Sequence, residues 1–369
     1  MKIKLVIFIM CISLLTACNI QYEQPTIENY GMVGVMGIDV SDKGKMEITL
    51  TLPQPEKDAE TKTQVYTTKV NSPHEALMEG STISEKILST AQLRVILFSE
   101  EFAREKGVWE TLENLYRDPR VGTNTYVAVV KGSMKEFLTK DYTDKPDINR
   151  YLNKLLEPTT ITAFSPFTSI HQFIRQSTNR VSDPMVPYLE NVSNESMKIS
   201  MVALFKGEKM VGTMERDEAK IVEALRKNQK IADISYVIDE NNNEERTKVI
   251  INFVRSRRKI KSNGDPNNPE IFLHVYLSGA VIDYTGELNL EIQEERQKLE
   301  EKLAEQIEGR IVSAINTFQE LEIDPIGIGH YFRMKDRSKW DKNHWNDVFS
   351  RATVTTHVES RIITTGTLR

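Results

Sequence analysis

Among the groups of this chain that could serve as nucleophile, ligand or base, the thiol of Cys18 stands in the most specific setting. It closes the tetrad Leu15-Thr16-Ala17-Cys18. Lys2 and Lys4 precede an apolar run from Leu5 to Leu15, broken only by Cys11 and Ser13. A short basic stretch, an apolar core and small residues before a processing point make a secretory signal. A cysteine at that point resembles the bacterial lipobox. The chemistry that this motif implies is lipidation: the thiol is joined to a diacylglyceryl group as a thioether, Cys18 becomes the first mature residue, and its new amino group is acylated. Such chains contribute about 0.8 kcal/mol per buried CH₂, so a multiply acylated cysteine is a stable anchor where one chain would be marginal. An ordinary signal peptide is the bland alternative. A membrane-spanning helix fits less well, because the apolar run is far shorter than the roughly 20 residues a span needs. With Cys11 lost in the signal, Cys18 is the one cysteine of the mature chain. That leaves no disulfide, thiolate metal site or cysteine nucleophile within it.

The other reactive residue types lack a pattern. The six histidines are His74, His171, His274, His330, His344 and His357. None falls in an HxH, HxxxH or HExxH spacing, and the nearest two stand thirteen residues apart. A metal site assembled only by the fold is the minor reading, and neither metal nor cofactor is expected. There is no GxSxG elbow, no P-loop and no GxGxxG turn between strand and helix. Gly31, Gly34 and Gly37 recur within an apolar strand, where close backbone approach explains them better than phosphate binding. Arg255, Arg257, Arg258, Lys259 and Lys261 form the one basic cluster. It could meet an anionic headgroup or a partner's acidic loop, but a solvated hairpin end is the simpler reading. No aromatic residues interleave it as a nucleic-acid platform would require. Phe332, Trp340 and Trp345 read as packing anchors ahead of an exposed partner patch. No residue is assigned a catalytic role.

The elements that must carry these groups follow from composition and period. Removing residues 1–17 leaves 352, enough for two or three domains. Charged residues at 27% and hydrophobic ones at 39% are ordinary for a folded, soluble body. The net charge of −5 becomes about −7 once Lys2 and Lys4 are lost, which argues against nonspecific binding to nucleic acid or anionic lipid. Residues 18–29 form a lipidated tether. Gly31–Val40 and Met46–Leu52 suggest a hairpin turning at Gly44. Val65–Val70 is a strand, and Ser72-Pro73 caps a helix running to about Thr90. Further strands are expected at Leu93–Phe98 and Thr123–Val130. Helices are expected from Ser99, over Trp109–Tyr116, Ser133–Leu138 and Ile148–Leu156, and over Phe167–Ser177. A boundary at 193/194 separates a 30–193 N-terminal α/β region, itself open to division into two subdomains, from a 194–369 C-terminal α+β domain. The latter opens with a hairpin, Ile199–Phe205 and Met210–Met214, and a helix over Asp217–Asn228. Lys248–Val254 is a strand, 256–270 a basic and then Gly/Asn/Pro-rich loop, and Phe272–Tyr284 a strand kinked at Gly279. The helix 291–321 is the strongest, with Leu299, Leu303, Ile307, Ile311, Ile315, Phe318 and Leu321 at spacings of three and four. Thr353–Ile363 closes the chain as a strand. The fold class is α+β, mixed α/β, with several domains and mostly antiparallel sheets packed by helices.

Several segments converge on one family. They are the lipobox at Cys18, Val35-Met-Gly-Ile-Asp39, Gln92-Leu-Arg-Val-Ile-Leu-Phe-Ser-Glu-Glu101 and Leu115-Tyr-Arg-Asp-Pro-Arg120. Further on come Ala203-Leu-Phe-Lys-Gly-Glu-Lys-Met-Val-Gly212, Gly327-Ile-Gly-His-Tyr-Phe332 and Trp345. Each is weak alone, but the ordered set over the whole chain resembles the Ger(x)C family, the lipoprotein C subunits of bacterial spore germinant receptors. The resemblance implies a non-enzymatic protein with a mixed α/β fold in three domains. It also implies an anchor at Cys18 on the outer face of the spore inner membrane. The partners it implies are two integral-membrane subunits, A and B, in a complex that answers nutrients by triggering germination. Whether this subunit touches the nutrient is left open, and only Cys18 takes a role from the family. Two other classes share parts of the pattern. A solute-binding lipoprotein serving a transporter would need two similar lobes around a cleft, whereas the two halves differ in element order. An exported hydrolase would need a carboxylate pair, which abundant Asp and Glu permit but nothing specific supports.

Overall fold

The computed structural model describes residues 26–54, 61–140, 142, 145–157, 168–179, 181–192, 196–226, 233–238, 247–335 and 341–365. Cys18 and Trp340 lie outside them.

Apolar runs between turn formers build the first strands, Tyr30–Met32 (β1), Val35–Val40 (β2) and Met46–Pro53 (β3). The expected β2–β3 hairpin turns at Asp42–Gly44, with Gly44 at φ 77°. That left-handed conformation is free of steric cost for glycine. Thr63–Val70 (β4) lies antiparallel to β3. Pro73–Ile83 (α1) begins where the sequence predicts, with Pro73 in its first turn and the Ser72 hydroxyl accepting the Glu75 N–H. It stops at Ile83 instead of reaching Thr90. Ile87–Ser89 (β5) pairs in parallel with β1, and the Leu88 N–H donates to the Ser81 hydroxyl. Long-range backbone pairing thus overrides a local helical period.

Val95–Ser99 (β6), Glu100–Glu105 (α2), Trp109–Arg117 (α3), Tyr126–Val130 (β7), Met134–Thr139 (α4), Ile148–Leu156 (α5), Ile170–Asn179 (α6) and Met185–Asn191 (β8) follow. Strands β2, β6, β7 and β8 are parallel neighbours. The expectation of mostly antiparallel sheets therefore fails at the centre of this one. The helix-bearing connections return the chain in the same direction, which parallel pairing requires. Met197–Lys206 (β9) and Lys209–Glu215 (β10) then add antiparallel to β8, giving the order β10-β9-β8-β7-β6-β2-β3-β4. This hairpin lies past residue 193 in sequence, yet it completes the large sheet.

Strand alternation sends successive side chains to opposite faces, and helices cover both. Ile96 and Phe98 share a core with Phe102 of α2, Leu112 of α3 and Phe173 of α6. Val95 and Leu97 pack on the other side with Met134 and Phe137 of α4 and Leu152 of α5. A Cβ on Gly37 would fall 2.9 Å from Leu138 Cδ1 and 3.0 Å from Met134 Cβ, so close approach is the role of glycine there.

The remaining elements are Arg216–Arg226 (α7), Ile234–Ile238 (β11), Thr247–Ser262 (β12), Glu270–Tyr284 (β13), Gln293–Glu320 (α8), Gly329–Lys335 (α9), Lys342–Ser350 (α10) and Thr353–Thr364 (β14). The second sheet has the order β11-β12-β13-β14. β12 continues to Ser262, so the basic segment expected in a loop belongs to a strand. Ser256 and Ile260 point inward while Arg255, Arg257, Lys259 and Lys261 are exposed, a period of two. β14 joins β13 in parallel, with α8 in the crossover between them. The α8 stripe Leu299, Leu303, Ile307, Ile311, Ile315 and Phe318 is buried as expected. It shares one continuous core with Leu273, Val275 and Leu277 of β13, Val222 and Leu225 of α7, and Met185, Val202 and Leu204 of the large sheet.

A polar clamp reinforces that junction. Asp183, just before β8, accepts the Asp324 N–H on its side chain at 2.8 Å and donates its own N–H to the Asp324 carbonyl at 3.1 Å. The Asp324 carboxylate is buried and accepts from the N–H groups of Gly327 (2.7 Å), Ile328 (3.0 Å) and Gly329 (2.7 Å), and from Trp345 Nε1 (3.0 Å). Burial pushes this carboxyl up from the usual carboxylate range, and the donors from Gly329, Ile328 and Trp345 oppose that rise. Phe332 and Phe349 flank Trp345 at ring-centroid distances of 4.5 and 5.6 Å, so Phe332 and Trp345 are the packing anchors expected. Arg333 Nη1 donates to the Asn179 carbonyl at 2.9 Å, a second tie between the regions.

Replacing Asp324 with Asn leaves buried N–H donors facing an amide NH₂. We expect a loss of about 1–3 kcal/mol, the cost of an unsatisfied buried donor, read from urea unfolding. Two glycines should respond with opposite signs. A Cβ on Gly279 would meet the Asn252 carbonyl oxygen at 2.4 Å, so Gly279→Ala should lower stability by about 1–3 kcal/mol. Gly309 sits within α8 with nothing near its would-be Cβ, and Gly309→Ala should raise stability by roughly 0.5–1 kcal/mol.

Candidate functional site

The one residue to which the sequence assigns a chemical role, Cys18, lies outside the described residues. The segments that carried the family resemblance are within them, and their polar residues tie elements together. Asp39 on β2 accepts the Met134 N–H at the start of α4, at 2.6 Å. Burial pushes its carboxyl up, against the bonds from Ser99 and Met134. Glu100 at the start of α2 accepts the Tyr188 hydroxyl of β8 and pairs with Arg104. Asp118 accepts the Arg120 side chain through two nitrogens at 2.9 Å, the Arg120 N–H at 3.0 Å and the Thr90 hydroxyl at 2.9 Å. Burial opposes its ionisation, but these donors outweigh it and hold the carboxyl below the usual range. None of these arrangements presents a nucleophile to a base. They serve the fold.

The surface with the richest chemistry is the solvent face of the second sheet. β12 places Arg255, Arg257, Lys259 and Lys261 in one exposed row. Their partners across on β13 are Ser278, Tyr276, His274 and Phe272, and beyond these on β14 stand Arg361, Glu359, His357 and Thr355. Phe272 is 48% exposed and Tyr276 39%, with Ile282 and Ile363 also open to solvent on the same strands. Arg258 departs from its cluster. It points to the inner side, where Nη1 donates to the Ile326 carbonyl at 3.2 Å, and burial lowers its pKa. The basic residues are thus a stripe along a strand, and aromatic groups do flank them, one strand away. The linear sequence hid this pairing because β12 and β13 meet only through their register.

At the β14 margin the backbone is capped. The Val358 N–H donates to Glu308 at 3.0 Å and the Ile362 N–H to Glu300 at 2.7 Å. Eight residues of helix rise about 12 Å and four of strand about 13 Å, so two carboxylates on α8 match two outward N–H groups on an antiparallel course. A hollow of about 1350 Å³ reaches this margin, where Arg255, Arg257, Arg296, Glu301 and Arg361 line it beside apolar groups such as Val358 and Ile362. It suits an anionic or polar partner better than the apolar enclosure typical of small-molecule sites.

Histidines that the sequence separates are brought together on the same face. His274 lies directly opposite His357, with ring centroids 4.8 Å apart. Glu359, two residues along β14, accepts from His274 Nε2 at 2.8 Å and stands 3.9 Å from His357 Nε2. The Tyr276 hydroxyl lies 2.9 Å from His274 Nδ1. Sequence spacing between histidines could not find this group. The legible signal was His357-x-Glu359, two residues on one face of a strand.

Comparison with known proteins gives a consistent result. Residues 23–191 match the family model described as spore germination protein N-terminal domain, and residues 200–366 match the one described as spore germination B3/GerAC like, C-terminal. The chain is 27% identical over 323 residues to spore germination protein GerQC of Bacillus cereus, covering 88% of each chain. It is 21% identical to spore germination protein B3 of Bacillus subtilis, over 98% of this chain and 97% of the other. The crystal structure of the GerBC protein shares the fold, with a TM-score of 0.58 at 17% identity over 89% of this chain and 96% of that one. Two family models that together span the chain from residue 23 to residue 366, in order, place it in the Ger(x)C family of spore germination proteins.

Proposed function

We propose that this chain is the C subunit of a nutrient germinant receptor. In this reading a diacylglycerol on Cys18 holds it at the outer face of the spore inner membrane, beside integral-membrane A and B subunits. Its role is non-enzymatic: it assembles or couples the complex that starts germination. The observation that carries the reading is the match of both family halves in order, supported by relatives that align over most of their own length. The lipobox spelling supplies the anchor. Among the described residues, no helix is long and apolar enough to cross a membrane. The basic and aromatic face of the second sheet offers a rigid surface for a partner. A solute-binding lipoprotein fits less well, because an eight-stranded and a four-stranded sheet are not two similar lobes.

The test is Cys18→Ala in the producing organism, with spores assayed for membrane retention of the protein and for nutrient-triggered germination. We expect both to be lost. A clean deletion whose spores respond normally to every nutrient that the parent spores answer would overturn the reading.

A further inference from the structure

We propose that His274, His357 and Glu359 form a binding site for a divalent transition-metal ion of the zinc type. The inference rests on the geometry of the second sheet alone and does not depend on the receptor reading. Three donor groups converge on one exposed patch, and their ligand atoms all lie within 4.8 Å of one another. Two imidazoles and one carboxylate are a donor set of the kind found in three-ligand zinc sites. With bonds of about 2.0–2.1 Å, tetrahedral ligands stand roughly 3.3 Å apart. The measured separations of 2.8 Å for His274 Nε2 to Glu359 and 3.9 Å for His357 Nε2 to Glu359 bracket that value. β13 and β14 hold His274 directly opposite His357, with Glu359 two residues further along the same face.

The surroundings supply the outer partner that a ligating histidine needs. Metal-bound imidazoles donate their second N–H to an oxygen acceptor, which fixes the tautomer. Tyr276 places its hydroxyl 2.9 Å from His274 Nδ1. Without metal, His274 Nε2–H donates to Glu359 and the tyrosine hydroxyl donates to Nδ1. With metal, Nε2 gives its lone pair to the ion, the proton resides on Nδ1 and the tyrosine oxygen accepts it. In net terms one proton passes from Nε2 to Nδ1 by way of solvent, and none is gained or lost. Three protein ligands leave a fourth position facing solvent, open to water or to a donor from a partner. Lys259, across from His274, and Arg361, two residues beyond Glu359, place positive charge nearby and hold the affinity below that of a closed four-ligand site.

The test uses the full-length chain purified in detergent without a histidine tag. It is titrated with Zn²⁺ against a chromophoric chelator, and separately with Co²⁺ to read visible absorption. We expect one Zn²⁺ per chain in the micromolar range and Co²⁺ bands typical of nitrogen ligation. His274→Ala and His357→Ala should each abolish stoichiometric binding, Tyr276→Phe should weaken it by about tenfold, as loss of an outer partner does, and His344→Ala should leave it unchanged. All altered side chains are at the surface, and far-UV circular dichroism checks that each variant is folded. Absence of a stoichiometric site, or binding that survives both His274→Ala and His357→Ala, would overturn the proposal. The cluster would then be a hydrogen-bonded group of side chains on an open sheet.

Discussion

The reciprocal bonding of Asp183 and Asp324 is the constraint on which the second half of the molecule depends. A buried carboxylate is tolerated only when its lone pairs are filled, and Asp324 fills its own from three consecutive backbone N–H groups and an indole. Those donors exist only if the chain after α8 takes the tight turn over 324–329 and if Trp345 comes back from α10. Once they are in place, the path into β14 is set, and with it the register against β13. The clamp also reaches across to Asp183 at the entrance to β8. Two acidic residues, each through both side chain and backbone, thus couple the packing of the long helix, the closing strand and the end of the large sheet.

That coupling agrees with the hydrophobic organisation. The core beneath α8 continues without a break into Val202, Leu204 and Met185 of the large sheet. The hairpin β9–β10 serves two cores at once, since Ala203 and Phe205 face the first region while Val202 and Leu204 face the second. Two sheets joined in this way, by apolar contact on shared strands and by a buried polar clamp, present their outer faces in a fixed mutual orientation.

Much of this was legible in the sequence, and the failures have physical causes. The stripe Leu299 to Phe318 announced α8 because a long amphipathic period is a strong local signal. The Ser72-Pro73 cap announced the start of α1 for a similar local reason. The end of α1 was missed because Ile87 and Leu88 satisfy either a helical stripe or a strand. The choice was made by β1, which is distant in sequence. The parallel centre of the large sheet was missed because pairing direction is not written in any one strand. The basic cluster was seen but placed in a loop, since alternation of charged residues with Ser256 and Ile260 was outweighed by the Gly/Asn/Pro-rich segment after it. The family resemblance came from scattered motifs whose polar residues prove to be ties between segments: Asp39 to α4, Asp118 to Thr90, Glu100 to β8. The grouping of His274, His357 and Glu359 depends on strand register, and no spacing rule reaches that far.

The carboxylates of Glu300 and Glu308 on the β14 margin carry a consequence for recognition. A sheet margin normally offers its backbone to any passing strand, and such pairing is indifferent to sequence. Here two outward N–H groups are already engaged by the protein's own helix. A neighbouring strand would find no free ladder at those positions. At those positions recognition falls to the side chains of the broad face. Selectivity between partners is thereby moved from the backbone, which every protein shares, to a pattern of arginine, histidine and aromatic groups that belongs to this chain.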